Sequence, residues 1–71
     1  MAIHRQLAMC RRLRVMRESK LLTQKEVADS LGISQAAYSR LEKGEVEVSL
    51  NKLIKLSEVY GVDLTVMLEG V

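Results

Sequence analysis

Residues Leu22 to Gly44 read LTQKEVADSLGISQAAYSRLEKG and contain the start and stop signals of two short helices. Thr23, followed three residues later by Glu26, forms a capping box, in which each side chain accepts a hydrogen bond from the other residue's backbone amide. Gly32 is placed to end the first helix in a left-handed conformation. We therefore predict a helix that begins after Thr23 and ends at Gly32.

A second helix follows after a very short turn. Ser34 is a typical N-cap, and Gly44 is placed to end this helix. Only Gly32 and Ile33 lie between the first helix and the second cap, so the two helices must cross rather than run side by side, as in a helix-turn-helix. Ala28 suits this geometry because a small side chain lets two helices approach closely.

The second helix has two chemically different faces on a wheel of about 100° per residue. One arc can face the core and contains Ala37, Tyr38 and Leu41. The opposite arc is polar or small and contains Gln35, Ala36, Ser39, Arg40 and Lys43. Glutamine pairs with adenine, arginine pairs with guanine, and an alanine methyl group can contact thymine. A solvated face is the ordinary alternative for an isolated helix, but the preceding capped helix and the tight turn favour contact with DNA.

The same segment resembles the helix-turn-helix of the Cro and lambda-repressor class, also called the XRE family. That family has Gln at the first position of the motif, Ala at the fifth, Gly at the ninth, and apolar residues at the fifteenth and eighteenth. The matching residues are Gln24, Ala28, Gly32, Tyr38 and Leu41. Tyr38 departs from the usual Ile or Val, so its hydroxyl needs a partner or a place at the rim of the core. The resemblance covers about residues 13–70 and implies an all-α, compact five-helix bundle with the helix-turn-helix at about 23–43.

The expected partner is double-stranded DNA, contacted in its major groove. The outward arc of the second helix would read base edges through Gln35, Ala36, Ser39 and Arg40. Phosphates would be bound at the helix N-termini and by basic side chains, at Thr23, Gln24, Ser34, Lys43 and Arg14. The resemblance also implies an ion pair between an arginine of helix 1 and a glutamate near the end of the recognition helix, here Arg17 and Glu42.

Charge is distributed unevenly along the chain. The first 20 residues hold six Lys/Arg and one acid, whereas the remaining 51 hold five basic and eight acidic residues. This asymmetry favours an anionic partner near helix 1, which we expect from about Ile3 to Glu18, although a merely solvated charge run is equally compatible with it. A membrane-surface helix would leave the other residues without a purpose. The arginines expected to face solvent or phosphate are Arg5, Arg11, Arg12 and Arg14.

The segment after Gly44 reads EVEVS and is expected to be an ordered loop. Glu45 and Glu47 would repel DNA if they faced it, and their role is left open. Ser49 then caps a fourth helix, whose predicted core arc contains Leu50, Leu53, Leu56, Ser57 and Tyr60. Asp63 is expected to cap a short fifth helix that runs through Leu68, and Gly70 follows as a stop.

Some apolar residues near the C-terminal end do not fit inside this core. They are Ile54, Val59, Val66, Met67 and Val71. An exposed apolar cluster is typical of a self-association surface, and members of the resembled family commonly dimerise through this region. A symmetric dimer would read two half-sites about one DNA turn apart. We therefore expect a homodimer with Ile54, Val59, Val66 and Met67 at its interface.

Composition limits the other possible functions. Seventy-one residues are expected to form a single domain, and Cys10, the single cysteine, is expected to be a buried hydrophobe. No metal-spaced cluster, cofactor motif, catalytic constellation, signal peptide or long apolar run is present, so we expect a cytoplasmic non-enzyme. The family resemblance implies a bacterial or phage origin. Repressor, controller protein and antitoxin remain open, and a helical protein-interaction module with little specific DNA binding is the alternative.

Overall fold

A computed structural model of the chain describes the backbone of residues 2–69 and the side chains of residues 8–69. Five helices and no strand lie within the described backbone, so the all-α prediction is confirmed. The helices are α1 (Ala2–Ser19), α2 (Gln24–Leu31), α3 (Gln35–Lys43), α4 (Leu50–Tyr60) and α5 (Leu64–Leu68). The expectations for Gly70, Val71 and the side chain of Arg5 concern positions outside the described residues.

The helix boundaries follow from side-chain caps and left-handed glycines. The Thr23 hydroxyl accepts from the amide of Glu26 at 3.1 Å, and the Glu26 carboxylate accepts from the amide of Thr23 at 2.9 Å, so the capping box is confirmed. Gly32 has a φ of 71°, which ends α2 in the left-handed conformation that glycine adopts most easily. The Ser34 hydroxyl then accepts from the amide of Ala37 at 3.0 Å, so α3 begins after a turn of the predicted length.

The core lies where α1, α2, α3 and α4 meet, and the short helix α5 contributes Met67 to it. Ala28 has no exposed surface at the crossing of α2 and α3. Cys10 is buried, as expected of a small hydrophobe. The larger core side chains are Met9, Leu13, Val27, Leu31, Tyr38, Leu41, Leu56, Tyr60 and Met67.

Three expectations about the second half of the chain are wrong. Leu50, the first residue of α4, is exposed, whereas Leu53 is partly buried against the core and Leu56 is fully buried. Asp63 makes no side-chain cap; its backbone carbonyl instead accepts from the amide of Met67 at 2.9 Å. Met67 itself is fully buried, because α5 turns this side chain into the core.

Arg12 is also placed differently from the expectation that it would face solvent or phosphate. Its Nη1 atom donates to the carbonyl of Met67 at 2.9 Å and also to the carbonyl of Glu69. The last carbonyls of a helix have no partners within the helix and carry partial negative charge, so a cation is stabilised there. Arg12 therefore holds the end of α5 against α1.

Candidate nucleic-acid interface

The outward face of α3 is a polar surface whose side chains form no hydrogen bond or ion pair with the other described residues. Gln35, Arg40 and Lys43 are exposed and Ser39 is half-buried, while Tyr38 on the opposite side is buried. Within residues 8–69, no hydrogen bond or ion pair engages any of the four polar side chains. Ala36 lies exposed among them and leaves room for close approach of a ligand. The residues predicted to read bases therefore share one accessible face.

The N-terminus of α2 lies beside this face and offers backbone amides. The amides of Thr23 and Glu26 are already used in the capping box. The amides of Gln24 and Lys25 belong to the first turn, where the helix supplies no acceptors. An anion approaching here would meet these two amides and the positive end of the helix dipole. Thr23 can still donate its hydroxyl hydrogen.

Gln24 is connected to α3 through a buried carboxylate. Its Nε2 atom donates to Glu42 Oε1 at 3.1 Å, and the side chain is half-buried. Because a carboxylate can only accept hydrogen bonds, this contact determines which end of the amide faces Glu42. The second N–H of the same Nε2 atom remains available to a phosphate. Glu42 therefore fixes the orientation of a predicted phosphate ligand.

Arg17 lies against the same carboxylate, as the resemblance implied. Its Nε donates to Glu42 Oε2 at 2.6 Å and its Nη2 donates to Glu42 Oε1 at 3.2 Å. Its Nη1 donates to the carbonyl of Leu22 at 3.0 Å, just before the Thr23 cap. The Arg17 and Glu42 side chains are only 12% and 4% exposed. One guanidinium thus joins α1, the start of the helix-turn-helix and the end of α3.

Burial raises the pKa of the Glu42 carboxyl, but hydrogen bonds from Arg17, Tyr38 and Gln24 outweigh this effect and leave the pKa below its usual value. Glu42 is therefore ionised at neutral pH. The carboxylate compensates the arginine charge in the interior, and the bidentate geometry makes this hydrogen-bonded ion pair a strong one.

Tyr38 extends this polar network towards α4. Its hydroxyl lies 2.7 Å from the hydroxyl of Tyr60, and both side chains are buried. Burial, together with the hydrogen bonds to Tyr60 and Glu42, raises the pKa of Tyr38 far above its ordinary value, so the hydroxyl stays protonated. The sequence indicated that Tyr38 needed a partner but did not identify Tyr60. The available signal was a second tyrosine in the core arc of the next helix.

The remaining predicted phosphate ligands are at the surface. Arg14 is exposed and forms a loose pair with Glu18, with Nε 3.7 Å from the carboxylate oxygen. Lys43 is exposed at the end of α3. Ser34 caps α3 with its oxygen, which leaves its hydroxyl hydrogen free to donate.

The residues predicted to form the dimer interface are not brought together in one patch. Ile54 and Val66 are exposed, Val59 is half-buried against the core, and Met67 is fully buried. The prediction that Met67 lies at the dimer interface is therefore wrong. Met67 is a core residue, because α5 packs this side chain against the rest of the core. On α4, Ile54 and Val59 project about 140° apart, so they lie on opposite flanks of the helix.

No helix in the described part of the chain has the length and apolar character required to cross a membrane. Among the same residues, no group of three or more His, Cys, Asp or Glu side chains has an arrangement that could bind a metal ion.

Comparison with known proteins assigns the fold to a family. The family model described as Helix-turn-helix matches residues 13–67. The SPbeta prophage-derived uncharacterized HTH-type transcriptional regulator YonR of Bacillus subtilis is 41% identical over 59 residues, which cover 83% of this chain and 55% of the relative. The HTH-type transcriptional regulator DdrOP3 of Deinococcus deserti is 38% identical over 63 residues, which cover 89% of this chain and 49% of the relative.

The chain spans about half the length of the curated relatives that it matches. No solved structure matches it. The family model covers α2, α3 and α4 in full, together with the last part of α1 and all of α5 except Leu68. The capping box, the left-handed turn at Gly32 and the exposed polar face of α3 agree with that match. The chain belongs to the helix-turn-helix family of the XRE type.

Proposed function

We propose that this chain is the DNA-binding domain of a transcriptional regulator that acts in the cytoplasm as a homodimer on a two-fold symmetric operator. The observation that carries the proposal is the polar face of α3, whose side chains have no partners within the described molecule. Polar groups without internal partners, beside a helix N-terminus suited to phosphate, match what major-groove recognition requires. The relatives named as HTH-type transcriptional regulators support the same function.

The roles of the individual residues follow from their positions. Gln35 and Arg40 would form bidentate hydrogen bonds to adenine and guanine, with Ser39 and Ala36 contacting neighbouring base edges. The phosphate ligands would be Thr23, Gln24 and Ser34 at the N-termini of α2 and α3, Lys43 at the end of α3, and Arg14 on the surface of α1. Dimerisation would use the exposed side chains of Ile54 and Val66, whereas half-buried Val59 lies on the opposite flank of α4 from Ile54 and would stay outside this interface.

A protein-binding role, as in an antitoxin or an interaction module, has one observation in its favour. An open apolar groove of about 500 Å³ lies between α1 and α5, lined by Arg12, Val15, Met16, Val66 and Glu69. Its α1 residues project about 100–160° away from Arg14, so the groove and Arg14 lie on different sides of this helix. Such a role would make no use of Gln35 or Arg40, so these two residues discriminate between the functions.

Selection from fragmented genomic DNA at roughly physiological salt tests the proposal. The wild type is compared with a Gln35→Ala/Arg40→Ala variant and with Lys55→Ala, which removes an exposed charge from α4 outside the proposed contacts. We expect the wild type and Lys55→Ala to enrich the same two-fold symmetric motif, and the double variant to enrich none. Equal, weak enrichment of all fragments by the three proteins would mean phosphate attraction without base reading.

A further inference from the structure

A groove beside α3 brings together residues that the sequence did not connect. It has a volume of about 250 Å³ and lies between α3, the loop after it and the start of α4. Its apolar floor carries three charged side chains at the rim: Arg40, Glu47 and Lys52. Glu47 and Arg40 are exposed, and Lys52 is half-buried. The acidic loop therefore places one of its two carboxylates beside a predicted base-reading residue.

The groove forms one edge of the recognition face. On the wheel of α3, Gln35 lies next to Glu42, which holds Gln24 of the neighbouring α2. Arg40 projects about 140° away from Gln35, towards the loop and α4. The predicted base-reading face thus runs from the α2 side at Gln35 to the groove at Arg40. Glu47 lies at the groove end of this face, where it lines the same groove as Arg40.

A carboxylate at this edge is unfavourable for binding DNA nonspecifically, because it repels phosphate. The same carboxylate can, however, orient an arginine side chain by accepting hydrogen bonds from it. A guanidinium carries several N–H donors in a fixed plane, so one edge can donate to a carboxylate while the other donates to a guanine. No ion pair joins Glu47 to Arg40 or Lys52 in the described residues of the unbound protein. The pairing with Arg40 would form when DNA orders the arginine.

We propose that Glu47 is a positioning residue for Arg40, which directs the guanidinium to a base edge and away from the phosphate backbone. The proposal rests on the proposed function, since it assigns a role within the same interface. It also gives the acidic loop a purpose: Glu47 lowers affinity for all DNA and raises the preference for the correct base. Glu45 carries the same charge on the same loop and is exposed, but it does not line the groove.

Glu45 therefore supplies the matched control. Four proteins are compared with the wild type: Glu47→Gln, Glu45→Gln, Arg40→Ala and the double variant Arg40→Ala/Glu47→Gln. Each is titrated with the duplex selected by the wild type, with duplexes changed at single base pairs, and with a scrambled duplex, over a series of salt concentrations. Thermal unfolding of each variant verifies that the exposed substitutions leave the fold intact.

We expect Glu47→Gln to reduce discrimination at the base pair read by Arg40 by about tenfold, and to strengthen binding to the scrambled duplex. Glu45→Gln should change discrimination by no more than about twofold. In the Arg40→Ala background, Glu47→Gln should reduce discrimination no further, because a positioning residue acts only through the side chain that it positions.

Two results would overturn the role of Glu47 and leave the proposed function intact. One is an equal effect of Glu45→Gln and Glu47→Gln, which would mean that loop charge alone matters. The other is a Glu47→Gln effect on discrimination that persists without Arg40, which would mean that Glu47 contacts a base itself. A wild type with no base preference would overturn both proposals, so the two failures are distinguishable.

Discussion

Arg17 on α1 forms hydrogen bonds to the segment just before α2 and to the end of α3. Arg17→Ala would leave the Glu42 carboxylate buried without its cation. Removing one partner of a buried pair costs about 3–5 kcal/mol, and we expect Arg17→Ala to lower the free energy of unfolding by about 3 kcal/mol. Urea denaturation followed by circular dichroism measures this change.

Arg14 provides a control for this substitution on the same helix. Its pair with Glu18 is at the surface, with the two side chains 65% and 56% exposed. Exposed pairs contribute less than about 1 kcal/mol, so Arg14→Ala should change the free energy of unfolding by about 0.5 kcal/mol or less. An unchanged melting temperature for Arg17→Ala would remove the structural role assigned to the pair.

Glu42 should make the stability of the fold depend on acid pH. Burial raises its pKa, but hydrogen bonds from Arg17, Tyr38 and Gln24 outweigh burial, so the folded pKa lies below the unfolded one. In the unfolded chain the pKa of a glutamate carboxyl is about 4.3. Its contribution to stability is therefore complete above that pH and is lost as the pH falls through the lower, folded pKa.

The measurement is the melting temperature of the wild type and of Glu42→Gln, followed from neutral pH to about pH 2.5. We expect the wild type to lose stability more steeply than the variant below about pH 4.3, because the variant has no carboxylate to protonate at this position. Parallel curves would mean that other carboxyl groups account for acid unfolding.

The end of α1 departs from the pattern of the neighbouring helices. Gly32, Gly44 and Gly61 end α2, α3 and α4 in a left-handed conformation, whereas Leu21 takes this conformation after α1, with a φ of 58°. Its amide donates to the carbonyl of Glu18 at 3.0 Å. The side chain is 90% exposed and contributes little packing to offset the strain.

Leu21→Gly should therefore stabilise the protein. The left-handed conformation costs a non-glycine residue roughly 1–2 kcal/mol, and the extra entropy of glycine in the unfolded chain removes part of the gain. We expect the free energy of unfolding to rise by about 0.5–1 kcal/mol in urea denaturation. Val15→Gly, within α1 and also exposed, should instead lower it by roughly 0.5 kcal/mol, the difference in helix propensity between the two residues. If both substitutions destabilise equally, strain at Leu21 is not significant.

Local signals predicted the helices well. The capping box at Thr23, the N-cap at Ser34 and the stop at Gly44 involve residues three to five positions apart, so their chemistry is visible in the sequence. The outward face of α3 was predictable for the same reason, because helical periodicity alone separates Gln35 and Arg40 from the core.

Contacts between distant segments were less predictable. The bond from Arg12 to Met67 joins residues 55 positions apart, and nothing near Arg12 indicates it. Helix α5 has only five residues, too few for periodicity to show that Met67 faces inward. The Glu47 carboxylate was visible as a charge in a loop, but its proximity to Arg40 depends on how α4 packs beside α3.

The described surface has a polar region around α3 and a more apolar region on other helices. The polar face of α3 and the N-terminus of α2 suit DNA, while most of the exposed large apolar side chains lie on α1, α4 and α5, with Leu21 and Val46 in the loops after α1 and α3. The network of Arg17, Glu42, Tyr38 and Tyr60 runs from α1 through α3 to α4, so the recognition helix is fixed to both of its supports. A second copy bound through the apolar side chains would hold two recognition helices in a defined relation.

Self-association through α4 and α5 should therefore be sensitive to charge. We expect the wild type to sediment as a dimer at high micromolar concentration, and Ile54→Glu and Val66→Glu each to shift the protein towards monomer, because burying a carboxylate in an apolar interface is unfavourable. Leu21→Glu makes the same change at a more exposed site outside the proposed interface and should leave the dimer intact. A monomeric wild type at this concentration would contradict dimerisation. A dimer that tolerates both substitutions would mean that another surface, such as the groove at Val15, joins the two copies.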